Sequence, residues 1–360
     1  SSDVCSSDLE ELLMKYGLLL AASALAVAGA SVAMTAGAPG AYAQKANIKL
    51  SYWVPPRHPL TPGYKEWGKS IEKATGGAVT TTLFPSSQLG SGRDHYDMVK
   101  RGIAGFGLIN PGYTPGRFPV LGASDLPFMH SDSLRGARAL TRWYKKYAAK
   151  EMKDHYVCHI FTHDKATFHT TKKQIRVPAD VKGLNIRSAN QTMSRFVSAL
   201  GANPVQVPIM EAKDTLAKGI TDGITVTHGG LTGTFKFKDV VNYTLDVPLY
   251  MSTFEHGMNK RLYSGMSASQ RRVIDDHCTP EWAAKVYKPW YDTAKGDEAT
   301  GRALKDHTWT KVNASELKQW RDAAKPVVAL WAASVKKVGL DPDAVLSDLR
   351  SELKKENALF

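Results

Sequence analysis

Cysteine is scarce in this chain: three in 360 residues, at Cys5, Cys158 and Cys278, with no CxxC or comparable spacing. A disulfide framework and a thiolate metal site are therefore excluded as the organising principle of the fold. Export would permit a bridge between Cys158 and Cys278, but nothing in a separation of 120 positions calls for one, and two buried thiols are the expectation. Other signatures are missing too. There is no G-x-S-x-G, no H-E-x-x-H and no G-x-G-x-x-G, so the common nucleophile, metalloprotease and dinucleotide patterns are absent. No block of lysine and arginine resembles a nucleic-acid arm. After residue 43 the sequence shows no low-complexity segment and no short repeat.

What is present is ordinary for a globular protein of two domains: 43% hydrophobic and 22% charged residues, with 29 Gly and 18 Pro. The formal charge of +13 raises the local concentration of anions. The first 43 residues differ in kind. Met14 and Lys15 precede an Ala/Leu-rich run from Leu18 to Val32, and Ala41-Tyr42-Ala43 places small residues before Gln44. That pattern predicts a secretory signal cleaved before Gln44, and hence a periplasmic location. Gly29, Gly37, Pro39 and Gly40 break the run, against a lasting membrane anchor. Residues 1–13 precede the pattern and are left out of the fold.

Beyond the leader, "ANIKLSYWV" alternates as a strand over 46–54. "TPGYKEWGKSIEKATGG" places Tyr64, Trp67, Ile71 and Ala74 on one helical face, opened by Pro62 and stopped by Gly76-Gly77. A strand over 78–84, a helix over 92–101 and the strand "IAGFGLI" complete a βαβαβ unit of parallel sheet. The order recurs in "VKGLNIR", a helix capped by Asn190 and ended by Gly201, "NPVQVP", "IMEAKDTLAKG" and "ITDGITV". A long helical stretch follows from Ser267 to about Asp306, with Pro280 and Pro289 as breaks or kinks, and packing helices close the chain.

Open parallel sheets bind ligands beyond the carboxyl ends of their strands. Those ends carry Trp53, Asn110 with Tyr113, Arg187 with Asn190, and Thr225 with His228. Arg187 stands just before a helix N-terminus, and the two together describe a socket for a carboxylate. Each residue also has a plainer reading: an arginine can pair with a structural acid, an asparagine can merely cap, a tryptophan can fill core, and His228 beside Gly229-Gly230 can be a solvated loop residue. His155, His159 and His163 repeat every four positions, but a strand sets neighbours about 13 Å apart, too far to share a metal ion. "GYKEWGKS" over 63–70 matches the phosphate-loop pattern formally, yet Tyr64 and Trp67 already belong to a helical face.

The stretches "FPSSQLGSGRDHYDMVKRGIAGFG", "FPVLGASDLPF", "VPADVKGLNIRSANQ" and "LGANPVQVPIMEAKDTLAKGITDG" occur in this order. Together they resemble the solute-binding proteins of TRAP transporters, of the DctP-like family, over residues 46 to 350. The resemblance implies an α/β fold of the two-lobed periplasmic binding protein type (type II-like), with a ligand cleft between the lobes and a long bracing helix. It places lobe I at 44–164 plus 253–292 and lobe II at 165–252 plus 293–360. It implies a monomeric receptor, not an enzyme, that needs no cofactor, binds no nucleic acid, and passes a small organic carboxylate to a membrane permease.

By the same resemblance Arg187 in "GLNIR" grips the carboxylate, Asn190 is a further ligand contact, and Trp53, Asn110 and the segment from Thr225 to His228 fall at pocket positions; Tyr113 joins them by its place at a strand end. Two departures shape the ligand expected. Where many members carry Gln-Glu-Asn-Pro, this chain has Ile224, Thr225, Val226 and Thr227, and Thr167 stands where some sugar-acid and dicarboxylate binders carry a second arginine. With Trp53, Tyr113, Ile109 and Val226 nearby, a monocarboxylate with an apolar or aromatic body is expected. The alternatives are a dicarboxylate or keto acid, with or without a bridging metal, or a secreted enzyme using His228 with Glu211 or Asp214.

Overall fold

The computed structural model describes residues 45–360; the expected signal and cleavage site lie outside the described residues. Strand β1 (Ala46–Ser51) buries Ile48 and Leu50 and exposes Asn47 and Lys49, as its alternation requires. Helix α1 (Leu60–Ala74) follows, with Tyr64, Trp67 and Ile71 buried; it opens two residues before Pro62, and Ala74, expected on the same face, is exposed because it lies in the last turn. The helix carries the whole phosphate-loop match, so that stretch has no free backbone to wrap a phosphate. Gly76 and Gly77 end it at φ of +57° and +81°, where a side chain would be strained. Strand β2 (Val79–Phe84), α2 (His95–Arg101) and β3 (Phe106–Ile109) complete the first unit. Helices α3 (Ser133–Lys145) and α4 (Ala148–Glu151) lead to β4 (His155–Thr162) and β5 (Ala166–Thr170).

The second unit runs β6 (Asn185–Arg187), α5 (Gln191–Ala199), β7 (Asn203–Val205), α6 (Ile209–Ala217) and β8 (Gly223–Thr227). The expected "VKGLNIR" strand shortens to its last three residues, because Val181 closes a short 3₁₀ turn and Gly183 adopts φ +79°. After β9 (Tyr243–Leu245) the chain returns through β10 (Thr253–Asn259), α7 (Lys260–Gly265), α8 (Ala268–His277), α9 (Pro280–Arg302), β11 (Thr308–Thr310), α10 (Ala314–Lys337) and α11 (Pro342–Lys355). Pro280 sits at the first helical position of α9 and Pro289 lies inside it.

The strands form two sheets. The first has order β2-β1-β3-β10-β4, with β2, β1 and β3 parallel and β10 antiparallel to both its neighbours. The second has order β11-β9-β5-β8-β6-β7, with β8, β6 and β7 parallel. The chain passes between sheets after β4 and again before β10, and these passages lie side by side: Ala166 N donates to Tyr250 O and His163 N to Ser252 O. Helix α9 packs on α1, α3 and β4 of the first sheet and on the 3₁₀ turn after β8 of the second, so it braces both.

Cys158 and Cys278 are joined, against the expectation of free thiols. They lie 4.4 Å apart between Cα atoms, and both are fully buried. The residue after α8 is brought onto the outer face of β4, a contact that no spacing in the sequence announces.

Candidate functional site

Arg187 ends β6, which lies between β7 and β8. Its side chain is 2% exposed, with Nε donating to Val207 O at 3.0 Å and Nη1 to Thr225 O at 3.3 Å. Among the described residues no carboxylate pairs with it. A buried guanidinium left in that state is costly unless an anion joins it. It faces a space of about 440 Å³ free of protein atoms, partly continuous with solvent.

Trp53, Asn110, Tyr113, Arg187 and Thr225 all line this cavity, which gathers both sheets around one space. Trp53 follows β1, packs against Tyr113 and Phe254 at ring separations of 5.9 and 6.2 Å, and leaves its Nε1 without a partner. Asn110 caps a 3₁₀ turn by accepting from Gly112 N at 2.9 Å. That turn presents Tyr113, whose hydroxyl accepts from Ile209 N at 3.1 Å across the cavity floor. Thr225 accepts from Ala189 N at 3.1 Å, which pins the entry to α5 beside Arg187.

Two expected residues stand elsewhere. Asn190 is fully buried beneath the site: its Oδ1 caps α5 through Met193 N at 2.8 Å, and its Nδ2 donates to Ser252 Oγ at 2.7 Å. It holds a lining residue without lining the cavity itself. His228 turns away from the cavity, because the 3₁₀ turn after β8 carries it toward α9, where its Nδ1 lies 3.4 Å from Glu298 Oε1 and its ring meets Trp309 edge-on. Glu211 and Asp214 are exposed on α6, so the acid/base group imagined with His228 is not assembled. Val226 lines the cavity, whereas Ile109 belongs to the core and Thr167 is buried outside the lining with its hydroxyl unpaired. The histidines of β4 and the residue after it are engaged separately: His155 with Glu255, His159 with His256, and His163 with the passage at Ser252.

The sequence reading missed Tyr250, Ser252 and Phe254 from the second passage, Trp290 from α9, and His58, Ile209 and Phe235. The one available signal was the pair of aromatics, Tyr250 and Phe254, in "LYMSTF". Tyr250 is buried and its hydroxyl has no partner. Burial lowers His58 to about 3 and His163 to about 4, so both are neutral at pH 7. Arg187 is thus the one charged side chain of the lining. The arrangement can hold one anion and stack its body on rings; His163, the histidine beside Ser252, already has both ring nitrogens engaged, by Asp164 O and by Ser252 N.

Residues 50–334 match the family model of the bacterial extracellular solute-binding proteins, family 7. Among solved structures, a TRAP solute-binding protein of Rhodoferax ferrireducens with copurified benzoate is similar at TM-score 0.80 and 26% identity, covering 86% of this chain and 98% of that one. A TRAP periplasmic solute-binding protein of Bordetella bronchiseptica with bound (R)- and (S)-mandelate is similar at TM-score 0.80 and 25% identity, covering 86% and 99%. In sequence, the 2,3-diketo-L-gulonate-binding periplasmic protein YiaO of Escherichia coli is 26% identical over 150 residues, 41% of this chain and 46% of that protein. The chain spans about half the length of the curated relatives it matches first.

Proposed function

Because the chain belongs to the family 7 bacterial extracellular solute-binding proteins, the receptors of TRAP transporters, we propose that it captures an aromatic or similarly apolar monocarboxylate and hands it unchanged to a membrane permease. One observation carries the reading: Arg187 is the only charge in a cavity walled by rings, and no protein carboxylate pairs with it among the described residues. A single buried cation balances a single anion. A second carboxylate would be dried without a partner, at a cost of several kcal/mol. The free Trp53 Nε1 and Tyr250 hydroxyl supply two further donors. Ligands named for similar structures, benzoate and mandelate, are of this class.

The site residues of this proposal are Arg187, Trp53, Asn110, Tyr113 and Thr225, with Tyr250 added. The first sheet is the core of a lobe at 44–164 plus 253–292, and the second of a lobe at 165–252 plus 293–360. Helix α10 packs on α5 of the second lobe while α11 returns to α3 of the first, tying the two. The receptor acts in the periplasm as a monomer. A keto acid is the second reading, favoured by the likeness to YiaO.

Native mass spectrometry of freshly purified protein, followed by calorimetry with benzoate, pyruvate and succinate, tests the proposal. A copurified aromatic acid and preference for benzoate are expected. Tighter binding of succinate or pyruvate overturns the aromatic reading, and chemical conversion of a bound acid overturns the receptor role.

A further inference from the structure

We propose that the binding site has an outer half, in which Asp297 favours aromatic acids bearing a hydrogen-bond donor at the end remote from their carboxylate and rejects those bearing a second carboxylate there. The proposal rests on the reading that Arg187 holds the first carboxylate. Beside the aromatic cavity lies a second hollow of about 330 Å³, partly open to solvent. The two share His58, Thr227, Phe235 and Trp290. The His58 and Trp290 rings, edge-on at 4.7 Å, therefore form a partition with protein-free space on both sides.

The far wall of the outer hollow is α9 at Ala294 and Asp297, packed on the turn of Gly229 and Gly230. Gly233 lets the carboxylate lie close, since a Cβ there would sit 2.3 Å from Asp297 Oδ2. No described residue donates a hydrogen bond to that carboxylate or pairs with it. Its neighbours on the same helix are provided for: Glu298 pairs with Arg302 and His228, and Asp292 with Lys288. Asp297 is half-buried, and desolvation pushes its carboxyl up from the usual range. The two adjoining hollows thus carry a lone cation in the inner one and a lone, partly dried acceptor in the outer one, with the His58 and Trp290 rings between them. Such an acceptor gains from an O–H or N–H and repels an anion.

The test is calorimetry on the protein with benzoic, phenylacetic and 3-phenylpropionic acids, each unsubstituted, 4-hydroxylated and 4-carboxylated. The linker series finds the length that reaches Asp297. For at least one length the hydroxy acid is expected to bind about tenfold or more tighter than the carboxy acid, as befits a hydrogen bond to a charged group. Asp297→Asn, which keeps an acceptor but removes the charge, should shrink that ratio about tenfold. Reading a ratio cancels any general loss of affinity, and the wild-type ratio needs no variant. Equal binding of hydroxy and carboxy acids within threefold at every length, or a ratio unmoved by Asp297→Asn, overturns this proposal alone if unsubstituted acids bind. If none of the acids binds, the aromatic-acid reading falls and takes this one with it.

Discussion

Replacing Arg187 by methionine separates a ligand-gripping arginine from a structural one, because the two roles move stability and affinity in different directions. The guanidinium is 2% exposed and its protein partners are two carbonyls, Val207 O at 3.0 Å and Thr225 O at 3.3 Å. Losing those bonds costs about 1 kcal/mol each. Against this, a buried charge without a counter-charge is removed, a relief of several kcal/mol, and methionine refills most of the volume. The ligand-free variant should therefore melt no lower than the wild type. Binding moves the other way. A carboxylate drawn into the cavity would be buried alone, which costs on the order of 2 to 5 kcal/mol, or roughly 30-fold to several thousandfold in affinity. Arg187→Lys should also fail, though less completely, since an ammonium cannot reproduce the planar fork. Thermal melts with and without benzoate, with calorimetry for affinity, read both quantities. Binding by Arg187→Met within about threefold of wild type, roughly 0.7 kcal/mol, would refute the assignment, and a sharply lower melting temperature without ligand would refute the balance of terms.

Tyr250→Phe removes a buried hydroxyl that has no partner in the protein. It should leave ligand-free stability unchanged or higher while weakening acid binding by about tenfold; unaltered affinity would remove Tyr250 from the site. The Cys158–Cys278 bridge closes a separation of 120 residues, so converting both cysteines to alanine should cost about 4 to 5 kcal/mol in the chain-entropy account, read as a lower denaturant midpoint. Reductant without denaturant should expose neither thiol to a labelling reagent, since both are buried. Acid should destabilise the fold. Burial lowers His58, His159 and His169 to about 3 and His130 and His163 to about 4, so the stability of their neutral forms is lost as pH falls below about 6.5, by at most about 1.4 kcal/mol per pH unit each. Asp125 and Glu151, raised to about 7 by burial, act oppositely, losing stability as pH rises from about 4 to 7. His95, His256, His277 and His307 are lowered as well, and Asp164 and Asp297 raised, so nine histidines act against four carboxyls and denaturant midpoints should fall between pH 6.5 and 4; a rise over that window would contradict the burial of these histidines.

Local order was legible in the sequence because its causes are local. Strand alternation at Ile48 and Leu50, the apolar face of α1, the glycines that end it and the Asn190 cap of α5 each depend on residues within a few positions, and each stands where the sequence placed it, save that Ala74 at the end of α1 is exposed. The succession of such elements carried the two parallel units, and the strand-end position of Arg187 brought it to the cavity with Trp53, Asn110, Tyr113 and Thr225. Tertiary structure alone decided the rest. The insertion of β10 between β3 and β4, the pairing of Cys158 with Cys278 across 120 positions and the arrival of Tyr250, Phe254 and Trp290 beside Trp53 and Tyr113 join segments far apart in the chain. His228 shows the same limit at short range. Its place at the end of β8 was right, but the direction of its side chain was set by a 3₁₀ turn and by Glu298 on a distant helix. Periodicity and capping record what a residue does to its own backbone; which side chains share a space depends on how packed sheets and helices meet, and that is a property of contacts the local pattern does not contain.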